Sequence, residues 1–347
     1  MQGLCHTLPL RALVRETWCM STSELKQRPH SVTLRFLAAP TDVDVNGMVP
    51  AGTVLEWVDK AAYAAAVGWS TSYCVTAYVG NIHFADPIHS GDLVEVTASV
   101  VYTGTSSMHI QTEVSFRDPR ELRPVASSNC LVIFVAVDES GKPTAVPSFS
   151  PGTVREIELR DDALARIEIR EQIVASMKDQ QYTDAGTAER VTLRFMAAPT
   201  DVNWGGKVHG GIVMKWIDEA AQLCAARYCQ QDTVAVFSGG VRFYQPLFIG
   251  HLVEVEARLV YTGSKGMHVA VHVRSGDPKS REMNLTTYCL TVMVTRDETG
   301  TAVPVKPWVP VSEEDRRLWE HARELVAIRA NAPGGYTPVH LVGSSAS

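Results

Sequence analysis

Val32-Thr-Leu-Arg-Phe-Leu-Ala-Ala-Pro-Thr-Asp-Val43 recurs as Val191-Thr-Leu-Arg-Phe-Met-Ala-Ala-Pro-Thr-Asp-Val202. The spacing is 159 residues (191 less 32), and Trp57/Trp216, Asp59/Asp218, Pro87/Pro246, Gly91/Gly250, Cys130/Cys289 and Gly141/Gly300 all keep it. A register held without a gap over about 110 residues is not a chance match. The chain is an internal duplication, residues 32–141 against 191–300, and a fixed-period repeat decides architecture before any local reading does. Whatever the chain does has to be read across the pair.

Within each copy the local signals run in one order. A short strand (Val32–Phe36, Val191–Phe195) leads into Pro-Thr-Asp and a Gly-rich turn. Next comes a helix, expected over Gly52–Val67 and Gly211–Tyr228, apolar nearly all round and therefore buried. β-Branched alternation takes over at Leu93–Tyr102 and Leu252–Tyr261, with Thr-Gly turns at 103–104 and 262–263. Met108–Phe116, Ser128–Val137, Met267–Arg274 and Thr286–Thr295 read as further strands. One long buried helix with about five antiparallel strands makes each copy an α+β layer, a sheet wrapped around a central helix.

The expected division is an N-terminal extension over 1–30, without order, and unit one over 31–150. A linker over 151–185 holds a charged amphipathic helix at Asp161–Lys178, and unit two covers 186–310. The region 311–347 closes the chain with a helix over Ser312–Ala330, capped by Ser312 and acids in its first turn, and a mobile Gly/Ser-rich tail.

Composition narrows the function classes. The 347 residues are 45% hydrophobic and 20% charged, ordinary for a globular chain. A net charge of -6 gives no general attraction to nucleic acid or an anionic membrane. No run of about 18 apolar residues offers a bilayer span. Seven cysteines, an odd number without CxxC or Cys/His finger spacing, point to free thiols in a reducing compartment and away from a zinc site. The first 20 residues lack the apolar core and cleavage site of a secretory signal. The cytoplasm is the expected address, with a mitochondrial presequence as the alternative and Met20 as an alternative start.

The chemistry concentrates in the loop before the second helix, Pro199-Thr-Asp-Val-Asn203-Trp-Gly-Gly-Lys-Val-His209-Gly210-Gly211, followed seven residues later by Asp218. Two glycines at a helix start let a ligand approach the backbone, and the first turn offers free N–H donors at a positive dipole end. That suits an oxyanion hole, although a plain tight turn has the same sequence. Asp59 and Asp218 each fall on the apolar face of their helix, with Leu55, Ala62 and Ala66 and with Met214, Ala221 and Ala225. A carboxylate there is costly unless it is paired or functional, and burial raises its pKa toward that of a general base. A structural carboxylate capping a neighbouring loop is the other reading of the same spacing.

The ordered set resembles the hotdog-fold acyl-CoA thioesterases, in particular the two-domain acyl-CoA hydrolases. Their pattern P-x-D-x-N-x-x-G-x-x-x-G-G plus a helical acid is met by Pro199, Asp201, Asn203, Gly206, Gly210, Gly211 and Asp218. Phe84/Pro87/Gly91 and Phe243/Pro246/Gly250 repeat a second family element. The resemblance implies a tandem hotdog, with sites between the units that take the loop from one and the acid from the other. One site then pairs Asn203, His209, Gly210 and Gly211 with Asp59; its twin pairs the first loop with Asp218. In the first loop Asp44 stands for Asn203, Pro50 for His209 and Ala51 for Gly210, and Asn46 aligns with Gly205. Pro50 removes a backbone donor and Asp44 adds a second carboxylate, so the expectation is one competent site.

What the resemblance implies is hydrolysis of an acyl-CoA thioester. Gly211 N–H, with Gly210, polarises the carbonyl, Asn203 orients the thioester or the water, and Asp59 activates water or attacks directly. His209 either contacts substrate or braces the loop. No metal or redox cofactor is implied. For the coenzyme A portion the candidates are Ser238, Gly239 and Arg242, then Ser264, Lys265 and Gly266 in a turn resembling the family's nucleotide-side turn. The first-unit turn, Thr103–Ser107, has hydroxyls but no charge. The resemblance also implies a homotrimer, a ring of six units.

Other readings are fewer. An α/β serine hydrolase needs Gly-x-Ser-x-Gly, which is absent, and Gly205–Gly211 is no phosphate loop because no Gly-Lys-Ser/Thr follows a strand. A hotdog hydratase or dehydratase stays open through His209, as does a non-catalytic acyl-CoA-binding module, since fold alone does not assign activity.

Overall fold

The computed structural model describes residues 28–330 except 85, 122, 179 and 299. Residues 1–27 of the expected extension, with the presequence and the alternative start, lie outside the described residues, as does the C-terminal tail. Residues 28–30 are described and tied down, Arg28 donating to Trp69 O and His30 O accepting from Val100 N–H.

Unit one runs β1 (Ser31–Leu37), α1 (Ala51–Ser70), β2 (Cys74–Val79), β3 (Ile82–His83), β4 (Leu93–Thr103), β5 (Ser107–Arg117) and β6 (Val125–Ala136). The linker helix α2 (Val154–Lys178) follows. Unit two repeats the order as β7 (Arg190–Met196), α3 (Gly210–Cys229), β8 (Val234–Phe243), β9 (Leu252–Thr262), β10 (Gly266–Gly276) and β11 (Asn284–Val294), and α4 (Glu313–Ala330) closes it. The one asymmetry in the strands is that β8 is continuous where unit one breaks into β2 and β3.

The strands form one antiparallel sheet in the order β1-β4-β5-β6-β2-β8-β11-β10-β9-β7, a palindrome of the two repeats. The seam is short: Tyr78 and Val79 of β2 pair with Arg242 and Val241 of β8, and β3 adds Ile82↔Ser238 and His83↔Phe237. On the concave face both long helices share one apolar core, which runs unbroken from Val54, Ala62 and Phe134 to Met214, Ala221 and Val271. Each helix is apolar on nearly every side because one flank meets its own strands and the other meets its twin.

The two helices touch backbone to backbone at their first turns. A Cβ on Gly52 would lie 2.7 Å from Lys215 Cα, and one on Gly211 would lie 2.7 Å from Glu56 Cα. These two glycines make room for the opposite helix. Of the two glycines at the start of the second helix expected to open the backbone to a ligand, Gly211 is therefore taken up by helix packing, whereas Gly210 faces Asp59 and Thr76.

The convex face is treated differently in the two units. Over unit two, α4 and the end of α2 bury Val260, Ala270, Tyr288 and Leu290 beneath Ile173, Met177, Leu318 and Leu325. The positions of Ala270 and Tyr288 are Gln111 and Asn129 in unit one, where only Leu159 and Ala163 of α2 cover Val101 and Leu131. The linker helix begins at Val154, seven residues before the expected Asp161. Glu156 carboxylate accepts from Gly152 and Thr153 N–H while Thr153 Oγ1 accepts from Glu156 N–H, a capping box spelled Thr-x-x-Glu in the sequence.

Candidate active site

Asp59 lies on the flank of α1 that faces α3, 2% exposed. Its Oδ1 accepts from Thr76 Oγ1 at 2.8 Å, and its Oδ2 accepts from Gly211 N–H of the other unit at 3.0 Å. His209 Nδ1 is 3.3 Å from the same Oδ2 and also accepts from Gly211 N–H at 3.0 Å. Burial pushes the Asp59 pKa above the ordinary carboxylate value. Proximity to His209, the Thr76 hydroxyl and the Gly211 amide pull against it. The three groups therefore hold a buried acid whose charge is stabilised only locally. That is the condition of a general base.

Asn203 approaches from the loop. Its Oδ1 accepts from Gly205 and Lys207 N–H at 2.9 and 3.0 Å, a turn completed by Gly206 at φ 75°. The amide NH2 is left on the side of Tyr73, whose hydroxyl burial pushes up while Asn203 pulls it down. Gly210 N–H, first in α3, has no intrahelical acceptor; among the described residues no hydrogen bond takes it up. A Cβ on Gly210 would come within 3.1 Å of Asp59 Oδ2 and 3.0 Å of Thr76 Oγ1.

These groups line a cavity of about 240 Å³ between the units, whose wall includes Tyr63, Phe134, Val213, Phe243 and Tyr244. Trp204 of unit two stacks on Tyr63 of unit one, ring centres 4.3 Å apart and planes 6° from parallel, so an aromatic pair closes one side across the interface.

The symmetry-related site keeps the frame and has different attending residues. Gly52 N–H donates to Asp218 Oδ2 at 2.8 Å. Asp44 Oδ1 accepts from Asn46 and Met48 N–H at 2.9 and 3.1 Å, the same turn that Asn203 makes. Ala235 occupies the position of Thr76, Pro50 that of His209 and Gln222 that of Tyr63. Asp218 thus has one hydrogen bond where Asp59 has two and a histidine, and burial pushes its pKa up to about 6. The cavity beside it measures about 60 Å³.

Several expectations change here. Gly211 N–H does not point at an open carbonyl position, because Asp59 and His209 already take it; it orients the acid, and Gly210 supplies the open donor. The donor that Pro50 lacks is also not a carbonyl donor, since the equivalent His209 N–H is spent on Asp201 O at 2.9 Å. What Pro50 costs is the imidazole. Asn46 is exposed and meets Asp44 only through its backbone.

None of the six coenzyme A candidates lines the larger cavity. Ser238 is buried against Cys289 Sγ at 3.5 Å, and Gly239 packs at the seam against Phe237 and Asn81. Arg242 is exposed, its guanidinium over the Tyr244 ring. Ser264, Lys265 and Gly266 form the β9–β10 turn at the end of the sheet where Gly266 pairs with Val294 and Val294 with Val234, the end that serves the smaller cavity. Thr76, Tyr63, Tyr73 and Trp204 were not singled out from sequence. For Thr76 the signal existed as the polar-to-apolar difference Thr76/Ala235 at the repeat offset.

Comparison with known proteins identifies the family. The thioesterase superfamily model matches twice, at residues 46–122 and 205–282. Protein VdlD of Helicobacter pylori is 31% identical over 160 residues, which is 46% of this chain and 91% of that protein. The chain is a two-domain member of the thioesterase superfamily. A full-length relative of this member is the cytosolic acyl coenzyme A thioester hydrolase of Rattus norvegicus, 23% identical over 94% of this chain and 92% of that one. An acyl-ACP thioesterase structure from Bacteroides thetaiotaomicron superposes with a TM-score of 0.50 at 11% identity, covering 76% of this chain and 98% of that one, and so shares the fold.

Proposed function

We propose that the chain hydrolyses acyl-CoA to a free acid and coenzyme A at one composite site, with the acid from unit one and the loop from unit two. The observation that carries this is the convergence on one buried carboxylate, Asp59, of Thr76 from its own unit and of Gly211 and His209 from the other. Support for the substrate comes from the full-length rat relative and from the family. Asp59, ionised, takes a proton from water as the water attacks the thioester carbon. The developing oxyanion is received by Gly210 N–H and the Asn203 amide, which need no reorganisation because the loop turn already holds them. Asp59, held in place by Thr76, Gly211 and the adjacent His209 ring, returns the proton to the leaving thiolate as the C–S bond breaks. The route draws only on the chain's own groups and water, with coenzyme A as product.

The site is tested by thiol release from acyl-CoA of several chain lengths by wild type, Asp59→Asn and Asp218→Asn. The expected loss for Asp59→Asn is roughly 10²–10⁴-fold, the usual range for a general base, with Asp218→Asn within a few-fold of wild type. The reverse ranking overturns the assignment. Water addition to an enoyl-CoA without thiol release moves the His209–Asp59 pair to a hydratase, and tight acyl-CoA binding without either reaction leaves a binding module. We also propose a cytoplasmic protein, supported by the cytosolic rat relative, and a ring of three chains, checked by a solution mass three times 37.9 kDa.

A further inference from the structure

The sheet-facing stripe of α2 reads Leu159, Ala163, Arg166, Arg170, Ile173 and Met177. Its ends are apolar and sit on apolar strand residues, Val101 and Leu131 over unit one and Val260, Ala270 and Leu290 over unit two. Midway, where the helix crosses the seam, the stripe carries two half-buried arginines. The Arg170 guanidinium lies 5.5 Å from the centre of the Tyr78 ring. Tyr78 pairs across the seam with Arg242, whose guanidinium lies 5.5 Å from the Tyr244 ring, and Tyr244 lines the larger cavity.

Cations thus collect along one strip, and among the described residues none of Arg166, Arg170 and Arg242 takes part in an ion pair. The contrast is Arg258 on the same convex face, also under a helix, which is bound by Glu256 and Glu314 at 3.2 and 2.6 Å. Burial and then the charge of Arg242 push the Arg170 pKa down, with Tyr78 and Glu171 pulling the other way. Burial followed by the charge of Arg170 also holds His109 beside the strip down at about 4, hence neutral. Half-buried guanidinium groups that lack an ion-pair partner, as Arg166 and Arg170 do, are costly, and the planar forks of these and of the exposed Arg242 match phosphate oxygens.

The strip is joined to the active site by β2. A register shift between Thr76 and Tyr78 turns Thr76 inward to Asp59 and, two residues on, Tyr78 outward to Arg170, the re-aiming for which bulges are known. Tyr244 makes the second link, since it lines the cavity and holds the Arg242 guanidinium against its ring.

We propose that Arg170 and Arg242, flanked by Arg166, dock the phosphate groups of the coenzyme A portion while the thioester sits between Asp59 and Asn203. The proposal rests on the acyl-CoA reading above. It places an essential part of substrate recognition on the linker helix, which belongs to neither repeat.

The experiment is calorimetric titration of the full chain with coenzyme A, dephospho-coenzyme A, pantetheine and ADP, in wild type, Arg170→Gln and Arg242→Gln, with thiol release measured alongside. The expected result is that the ratio of coenzyme A to pantetheine affinity falls about tenfold in each variant, the scale of a charge-assisted pair, and that coenzyme A displaces ADP. Arg242 is exposed and outside the core, so its variant reads out docking even if Arg170→Gln loosens α2. An unchanged ratio in Arg242→Gln, or ADP that binds without being displaced by coenzyme A, overturns the docking site. Thiol release with an unchanged ratio leaves hydrolysis standing and removes only the docking site. A fallen ratio with no thiol release from any acyl-CoA does the opposite.

Discussion

The loops at 42–52 and 201–211 make the same turn and do different chemistry. In both, a side-chain oxygen at the third position of the loop accepts two backbone N–H groups, Asp44 in one and Asn203 in the other, and a glycine at φ 75° follows. The backbone therefore cannot tell the copies apart. What differs is what remains once the turn is made: Asn203 has an amide donor to spare, whereas Asp44 has a second carboxylate oxygen. The rest follows the same division. His209 and Thr76 attend one acid, and Pro50 and Ala235 attend the other. Ala51 fits where a Cβ on Gly210 would crowd Thr76, because Thr76 has become Ala235. The differences at the first-loop site are thus mutually adjusted.

The comparison can be broken most sharply by exchanging the one atom group that separates the loops. Asn203→Asp should keep the fold and lower kcat by roughly 10²–10³-fold, the scale of one oxyanion donor; thermal melting and thiol release measured together check both halves. The reverse exchange tests sufficiency. In an Asp59→Asn background, Asp44→Asn, Pro50→His, Ala51→Gly and Ala235→Thr together should restore measurable hydrolysis of the shortest acyl-CoA, limited by the cavity of about 60 Å³. No recovery above the Asp59→Asn baseline would mean that the two acids differ by more than their attending residues.

Thr76→Ala should cost about tenfold in kcat, the lower end for a hydrogen bond to a charged group, and Thr76→Ser should recover most of it. The pH profile sharpens the same point. Asp59 must be ionised to accept a proton and its folded pKa is raised, so the acid limb of kcat/KM lies above the ordinary aspartate value and activity is lost as pH falls through it. Asp218→Asn should leave that limb in place.

Its own effect belongs to stability. Burial holds the Asp218 pKa at about 6 in the folded protein, against an ordinary 3.8. Wild type therefore carries an ionisation cost that is absent below the lower value and complete above the upper one. The asparagine variant should be more stable at neutral pH by up to about 3 kcal/mol, and equal to wild type in strong acid. Equal denaturation midpoints at pH 7 would show that Asp218 is not held in this environment.

Much of this was legible beforehand, for identifiable reasons. The repeat offset needs only identity at a distance, and helix burial needs only apolar residues on all sides, so both long helices followed from residues 32–300, while the crossed pairing of Asp59 with the second loop came from the family resemblance. The capping box Thr153/Glu156 was equally local and was passed over, which set the linker helix seven residues late. Thr76 could not be found by motif, because it is a lone hydroxyl in a strand whose inward direction depends on the adjacent bulge. Which acid the Ser264–Gly266 turn accompanies is not legible from spacing, since only the antiparallel seam puts each unit's β9–β10 or β4–β5 turn beside its own acid. The turn beside Asp59 is therefore Thr103–Ser107.

By itself, then, the sequence determined the duplication, the α+β class, the two helical acids and the inequality of the two loops, all of which are properties of residue type at fixed spacing. Tertiary structure alone decided which backbone donors remain open. Gly211 N–H is consumed by Asp59 and His209, and Gly210 N–H is not, because the helices approach within a glycine's width. It alone also brought Arg170 of the linker over Tyr78 and toward Arg242. Spacing along a chain records periodicity, but the partners of a polar group depend on which surfaces the fold presses together.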